Sequence, residues 1–374
     1  MHPNTAQTSS SRIRILIIIS DLSGGGAERV VSTILQELDR ERFEPVLALW
    51  RNTAVYPVPP DVPVHILGKH RAWDLPRTVY RTGKLIERLR PDVVYSHLSY
   101  VNFATGMALA VSRNRPLWVA CEHNNPYLSL PRSMRIILRW SYRSADVLIG
   151  VSKGVSRSVR EAFFLPEGKV VTVYNPLELP EYCPRDLQPS PGEAHIPTLV
   201  AMGRLTEQKD YPTMLRAIGL LRKQTPVRLR ILGEGPLRSD LEELSASLNI
   251  SDCVEFLGFV SDPFPIIRDA DVYVMSSLWE GLPTALIEAM ACGVPVVSTR
   301  AEYGPEEIIM PGESGLLVDI GDSRALAHAI GRILFEDNLR VQLALNGSHR
   351  VRFLFAKDVQ IPFLEKVLIE ALGK

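Results

Sequence analysis

Residues 276–297 read SSLWEGLPTALIEAMACGVPVV. The apolar run Val272–Met275 leads into them, and a second, Pro295–Ser298, closes them. Between the two runs the apolar residues change from strand to helix spacing. Pro283 suits a first helical turn, where a missing N–H costs nothing, and Gly293 suits the residue just past a helix end. The stretch therefore predicts strand, glycine turn, helix, glycine stop and strand, which is one βα unit of a parallel sheet. Glu280 falls before the helix, at the carboxyl edge of the sheet, where ligands bind in open α/β folds. Glu288 falls on the helix among Ala285, Leu286, Ile287, Ala289 and Met290. A carboxylate in such company needs donors. The two hydroxyls of a ribose would supply them; so would backbone amides or a buried arginine.

Working outward, the same alternation of short apolar runs and amphipathic stretches fills the chain. Upstream of this unit the spacing predicts strands at Thr198–Met202, Arg228–Leu232 and Val254–Leu257. In the first half it predicts strands at Arg14–Ile19, Pro45–Trp50, Asp92–Ser96, Trp118–Cys121, Asp146–Val151 and Val170–Val173, with helices at Glu28–Leu38, Leu75–Leu89 and Arg132–Arg143. Residues 175–197, NPLELPEYCPRDLQPSPGEAHIP, have no periodicity and read as a linker. Two doubly wound α/β units follow: a first domain over 1–180 and a second over 181–357. A last helix within 358–374, at Val359–Leu372, is expected to cross back to the first domain.

The 374 residues are 46% hydrophobic and 22% charged, an ordinary globular composition with enough apolar side chains for two cores. Net charge is zero but unevenly held. Residues 1–180 carry 23 Lys/Arg against 15 Asp/Glu, and residues 181–374 carry 19 against 27. The halves should attract across a cleft, and the basic half suits an anionic partner. Nucleic acid is not indicated. Cys121, Cys183, Cys253 and Cys292 stand far apart, so neither a zinc knuckle nor a disulfide framework is indicated, and a reducing compartment is the simple reading. The apolar run Ile13–Ile19 is too short to cross a bilayer and reads as a buried strand.

Two strand ends carry chemistry typical of anion sites. The first strand runs into Ser23-Gly24-Gly25-Gly26-Ala27-Glu28-Arg29, a turn whose glycines let backbone approach a phosphate at a helix N-terminus. It departs from the dinucleotide fingerprint, because Arg29 holds the third glycine position and no acid follows the second strand. The other is Met202-Gly203-Arg204-Leu205-Thr206-Glu207-Gln208-Lys209, where a guanidinium and an ammonium can grip a diphosphate. Solvated loop cations are the plainer reading of that pair taken alone. His123, in the polar loop Glu122-His123-Asn124-Asn125-Pro126 after a strand, is a candidate site residue; His97 also ends a strand, with nothing to distinguish it. The string Asp269-Ala270-Asp271 lacks further ligands and is read as a solvated turn, so no metal site is expected.

Together these motifs resemble the retaining glycosyltransferases of family 4. Glu280 to Glu288 matches the family's E-x7-E motif within EGLPTALIEAMACGVPVV, and GRLTEQKD matches its Gly-Arg-Leu…Lys segment. Ile231–Pro236 and Phe256–Val260 match two further loops, and Ser23–Val30 looks like the loop of members that build surface polysaccharides and lipid-linked glycans. The resemblance implies the two-domain GT-B architecture with sheets facing a cleft, and a nucleotide-sugar donor, UDP-sugar favoured over GDP-sugar, with no other cofactor. It implies that Arg204 and Lys209 bind the donor diphosphate, Glu288 the ribose, and Glu280 a hydroxyl of the transferred sugar. Backbone at Gly25 and Gly26 and at Leu282, Pro283, Thr284 and Ala285 would face the phosphates. Gly258, Phe259 and Val260 would edge the base, and His123 would line the sugar and acceptor cleft.

The implied activity is metal-independent transfer of a hexosyl or N-acetylhexosaminyl group with retention, onto a glycan or polyprenyl-linked acceptor. The protein mainly positions substrates and stabilises charge on the leaving diphosphate. A sugar-nucleotide epimerase of the same shape is an alternative that has no need of the E-x7-E arrangement; a non-catalytic nucleotide-sugar-binding protein is another. Arg132, Arg135, Arg139 and Arg143 recur at helical spacing, opposite an apolar face of Met134, Ile137, Leu138 and Ser141. Such a helix can lie on anionic lipid, which suits a cytoplasmic protein held peripherally at the inner face of a membrane; a helix packed on its own sheet with solvated arginines fits equally.

Overall fold

The computed structural model describes residues 12–69, 71–180 and 195–373. Cys183 and most of the expected linker lie outside the described residues. The first half forms a seven-stranded sheet from β1 (Ile13–Ile19), β2 (Phe43–Leu49), β3 (Val64–Ile66), β4 (Val93–His97), β5 (Leu117–Glu122), β6 (Val147–Gly150) and β7 (Val170–Thr172), ordered β3-β2-β1-β4-β5-β6-β7. Its helices are α1 (Gly26–Glu37), α2 (Leu75–Leu89), α3 (Ser99–Val111), α4 (Pro126–Ser129), α5 (Arg132–Ser144) and α6 (Lys153–Phe163).

The second half forms a six-stranded sheet from β8 (Thr198–Met202), β9 (Arg228–Leu232), β10 (Val254–Gly258), β11 (Val272–Met275), β12 (Val296–Thr299) and β13 (Leu316–Val318), ordered β10-β9-β8-β11-β12-β13. Its helices are α7 (Tyr211–Leu221), α8 (Arg238–Ser247), α9 (Phe264–Arg268), α10 (Thr284–Ala291), α11 (Pro305–Ile308), α12 (Ser323–Phe335) and α13 (Asp337–Phe355), followed by α14 (Lys357–Ala371). Every named strand pair is parallel. This is the GT-B fold, two Rossmann-like α/β sheets.

Continuous apolar runs make these strands, because a parallel sheet covered by helices on both faces is buried throughout. In β1, Ile15 to Ile19 are fully buried. The short strands β3 and β13, three residues each, escape the sequence reading. The last helix packs against α1 of the first half. Glu365 accepts a hydrogen bond from the Asp39 amide at 2.8 Å and pairs with Arg42, while Lys357 pairs with Glu37 at 2.7 Å.

Two sequence expectations need correction here. Asp271 does not end a solvated turn: it is buried, and its carboxylate accepts the Thr198 amide at 2.7 Å and meets His195, tying the start of β11 to β8. The apolar face of α5 is also misplaced. Leu138, Ser141 and Tyr142 are buried, but Ile137 is exposed along with Ile136 and Trp140, the last at 78%.

Candidate active site

Each sheet reverses its strand order once, between β1 and β4 in the first and between β8 and β11 in the second. Loops leaving adjacent strands at such a point part to opposite faces and open a crevice at the carboxyl ends. The expected residues gather at these two places. Gly24–Gly26 follow β1 and His97 ends β4; Arg204 and Lys209 follow β8, and the Ser276–Pro283 loop follows β11.

In the second domain, Lys209 donates to Glu280 Oε1 at 2.5 Å, and Ser277 donates to the same oxygen at 2.6 Å. Glu280 is buried, and the Lys209 stem passes over Gly203, where an added Cβ would lie 3.0 Å from the lysine Cε. The ammonium is thereby held at the mouth of the crevice. Arg204 is exposed one residue beyond that glycine, close enough to Glu28 of the first domain to favour its charged form. Gly258, Phe259 and Val260 stand apart at the end of the edge strand β10, with Phe259 exposed. Leu282 and Pro283 are buried, whereas Thr284 and Ala285, opening α10, are half-buried.

In the first domain the glycine turn is braced by Asp21. Burial opposes charge there, but hydrogen bonds from Ser23 and Arg51 hold the carboxyl below its usual range. Gly24 takes φ +119°, which side-chain-bearing residues rarely adopt, and α1 starts two residues later. Burial raises the Glu28 carboxyl above its ordinary value, and neighbouring Asp21 adds to that.

The two domains meet across this crevice through specific contacts. Gly26, the first residue of α1, faces Thr284, the first residue of α10; a Cβ on Gly26 would lie 3.8 Å from the threonine Oγ1. Two helix N-termini, each with unsatisfied amides and partial positive charge, thus converge. Arg29, one turn into α1, donates to Glu288 Oε1 on α10 and lies over the Phe264 ring. Burial raises the Glu288 carboxyl and Arg29 opposes the rise. Gly281 abuts the first domain so closely that a Cβ would fall 1.9 Å from the His123 carbonyl oxygen, bringing His123 beside Glu280. Further out, Glu307 accepts the Lys153 and Gly154 amides at 2.8 and 2.7 Å, capping α6 from the other domain.

The structure therefore brings Gly25, Gly26, Lys209, Glu280, Thr284, Glu288 and His123 to one interdomain crevice, with Arg204 at its rim. Arg29 is the main residue that the sequence reading passed over. In the sequence it stands only as a break in a glycine pattern, yet one helical turn past a phosphate-type loop is where a side chain reaches across a cleft. Of the donors considered for Glu288, an arginine supplies one oxygen's bond, from the opposite domain.

Comparison with known proteins bears on the family and the fold. Residues 24–180 match the model described as Glycosyltransferase Family 4, and residues 196–336 that of Glycosyl transferases group 1. A lipopolysaccharide core biosynthesis glycosyltransferase of Rhizobium meliloti is 33% identical over 58% of this chain and 62% of its own length. An α-1,4-N-acetyl-D-galactosaminyltransferase of Campylobacter jejuni, whose name gives a diphospho-undecaprenol-linked glycan, is 29% identical over 97% of this chain and 99% of its own. The crystal structure of HepE from Anabaena in complex with UDP superposes with TM-score 0.80 at 20% identity, covering 96% of this chain and 100% of that one.

Proposed function

The chain belongs to the family 4, group 1 glycosyltransferases, and from that premise we propose that it moves a hexosyl or N-acetylhexosaminyl group, with retention and without a metal ion, from a UDP-sugar to a polyprenyl-diphosphate-linked glycan. The observation that carries this reading is the convergence of the α1 and α10 N-termini at Gly26 and Thr284, flanked by Lys209 and Arg204. The two N-termini, Lys209 and Arg204 are four sources of positive potential at one crevice. A leaving UDP develops charge on its β-phosphate as the sugar departs, and fixed cations and amides stabilise that charge with no reorganisation. They fill the part a metal ion plays elsewhere. Glu288, with Oε2 not used by Arg29, takes the ribose hydroxyls. Glu280, oriented by Ser277 and Lys209, takes a hydroxyl of the transferred sugar.

The UDP preference follows the nucleotide in HepE, and the acceptor follows the diphospho-undecaprenol glycan in the Campylobacter jejuni relative's name. The acceptor class also suits the surface beside the cleft. Directly after His123, α4 exposes Tyr127 and Leu128, and α5 exposes Ile136, Ile137 and Trp140. Arg135 lies over the Tyr127 ring and Arg139 over that of Phe164, itself exposed. Aromatic and aliphatic tips interleaved with arginines suit the headgroup layer of an anionic membrane. Among the described residues no helix is long and apolar enough to cross a membrane. Docked by this face at the cytoplasmic leaflet, the crevice opens toward a lipid-linked acceptor.

The test is turnover of UDP-sugars on a synthetic polyprenyl-diphosphate glycan in the presence of EDTA, with the product anomer read by NMR. An α-linked product from an α-configured donor, formed at an undiminished rate, is expected. An inverted product, or activity abolished by the chelator, refutes the reading. Flotation with vesicles containing anionic lipid should be lost in Trp140→Ser/Ile136→Ser, which removes exposed side chains only.

A further inference from the structure

Beneath the cleft, His123 meets two side chains, His97 and Cys121, that the transfer reaction as described leaves unassigned. His97 ends β4, Cys121 stands near the end of β5, and His123 follows two residues later. His97 and Cys121 are buried, and His123 keeps 8% exposure at the crevice floor. His97 Nδ1 lies 3.1 Å from His123 Nε2, and Cys121 Sγ lies 3.5 Å from that same nitrogen. His97 Nε2 is buried with no hydrogen-bond partner among the described residues. The His97 ring is held against Tyr95, with centroids 4.2 Å apart.

Burial keeps both rings neutral, pushing His97 well below its ordinary value and His123 down to about 4. Two neutral imidazoles carry one ring proton each, and the Nδ1···Nε2 contact uses one of them. Two arrangements satisfy it. If His123 donates, the His97 proton must sit on Nε2, as a buried N–H with no acceptor. If His97 donates, Nε2 keeps only a bare lone pair. Orphaned buried N–H groups are the rarer and costlier of the two defects. Burial keeps the Cys121 thiol protonated, and a thiol beside His123 Nε2 fits either arrangement, because its sulfur can also accept.

Resting on the reading that His123 lines the cleft, we infer that His97 is a positioning residue: its Nδ1–H donates to His123 Nε2 and locks His123 as the tautomer protonated on Nδ1. No protein group among the described residues bonds that Nδ1. His123 therefore meets the substrates as a neutral hydrogen-bond donor to a sugar oxygen and takes no proton from the acceptor. The ligand atoms of His97, Cys121 and His123 lie within 4.8 Å of one another, which is also the composition of a metal site. A cation there needs a thiolate, which burial opposes, and it would take the lone pair that receives the His97 proton.

Long-range 1H–15N correlation on histidine-labelled full-length protein, with signals assigned through His97→Asn and His123→Gln, reads the tautomers directly. Expected are a protonated Nδ1 and bare Nε2 at both rings. A protonated His123 Nε2, or one stoichiometric zinc ion in protein purified without chelator, overturns the inference. Kinetically, His97→Leu should lower kcat about tenfold, the worth of one neutral hydrogen bond, with donor KM within about twofold. His97→Asn, whose amide N–H reaches the same point, should recover most of that loss; equal kcat in the two variants counts against the lock. If His97→Leu does not fold, the NMR result on the parent protein still decides. Full activity in His123→Ala would instead remove the cleft reading while leaving the tautomer assignment to stand on the spectra.

Discussion

Arg29 of α1 and Glu288 of α10 form an ion pair that joins the two domains across the crevice. The glutamate is buried and the arginine is about a quarter exposed, with Phe264 beneath its guanidinium. A buried carboxylate stripped of its partner is costly, and Arg29 favours the charged form of Glu288 against the burial that raises its carboxyl. Arg29→Leu alone should destabilise the fold, and Arg29→Leu/Glu288→Gln should recover part of the loss. A urea-denaturation double-mutant cycle should give a coupling of about 1–3 kcal/mol. Additive single effects would mean that the contact carries no energy.

If Arg204 and Lys209 act, as proposed, on charge that appears only as the donor breaks, their removal should fall on turnover. Arg204→Ala and Lys209→Ala should each lower kcat by about 10²–10³, with donor KM changed far less. Lys209→Ala also frees buried Glu280 of its cation, so Lys209→Met/Glu280→Gln is the control for misfolding. Normal turnover in both single variants would remove the charge-stabilising role.

Gly281 is where the second domain rests on the backbone of the first. A Cβ there meets a carbonyl oxygen at 1.9 Å, and neither backbone can yield without parting the domains. Gly281→Ala should lower kcat/KM by about tenfold, because the His123 loop and the Glu280 loop are moved apart, while the circular-dichroism spectrum stays native. Unchanged kcat/KM would show that the crevice reacts in a more open form than this one.

Glu122, adjacent to His123, is buried with Tyr142, Ser99 and Asn102 as donors, and burial lifts its carboxyl from 4.5 to about 7 in spite of them. The native state thus binds a proton more tightly than the unfolded chain. Stability from this group is fully present below about pH 4.5 and is lost as pH rises to about 7, by about 3 kcal/mol over the window. Glu122→Gln keeps the shape and removes the titration. The stability difference between variant and parent, measured by urea melts from pH 5 to 8, should therefore shift in favour of the variant by roughly that amount. A constant difference contradicts it.

Much of this architecture is written in local pattern. Parallel strands buried on both faces announce themselves as apolar runs, and Pro283 and Gly293 mark the ends of α10 closely. Glu288 was legible as a carboxylate in apolar company that must have a partner. Which partner was not legible, because Arg29 lies 259 residues away and only the facing of two domains brings it near. The His97–His123 contact was hidden for the same reason: β4 and β5 are neighbours in the sheet, but a histidine ending a strand looks like any loop histidine until the register is known. Ile137 faces solvent although its spacing groups it with Leu138 and Ser141, because the buried stripe of α5 is set by α3 and α6, which periodicity in one helix does not reveal.

Whether a nucleoside diphosphate sits between the α1 and α10 N-termini is decided by a crystal structure of the protein with UDP. Expected are the β-phosphate within hydrogen-bonding distance of Lys209 and Arg204, and the ribose on Glu288. UDP bound elsewhere on the molecule, or at this crevice with its ribose away from Glu288 and its phosphates away from both cations, would contradict it.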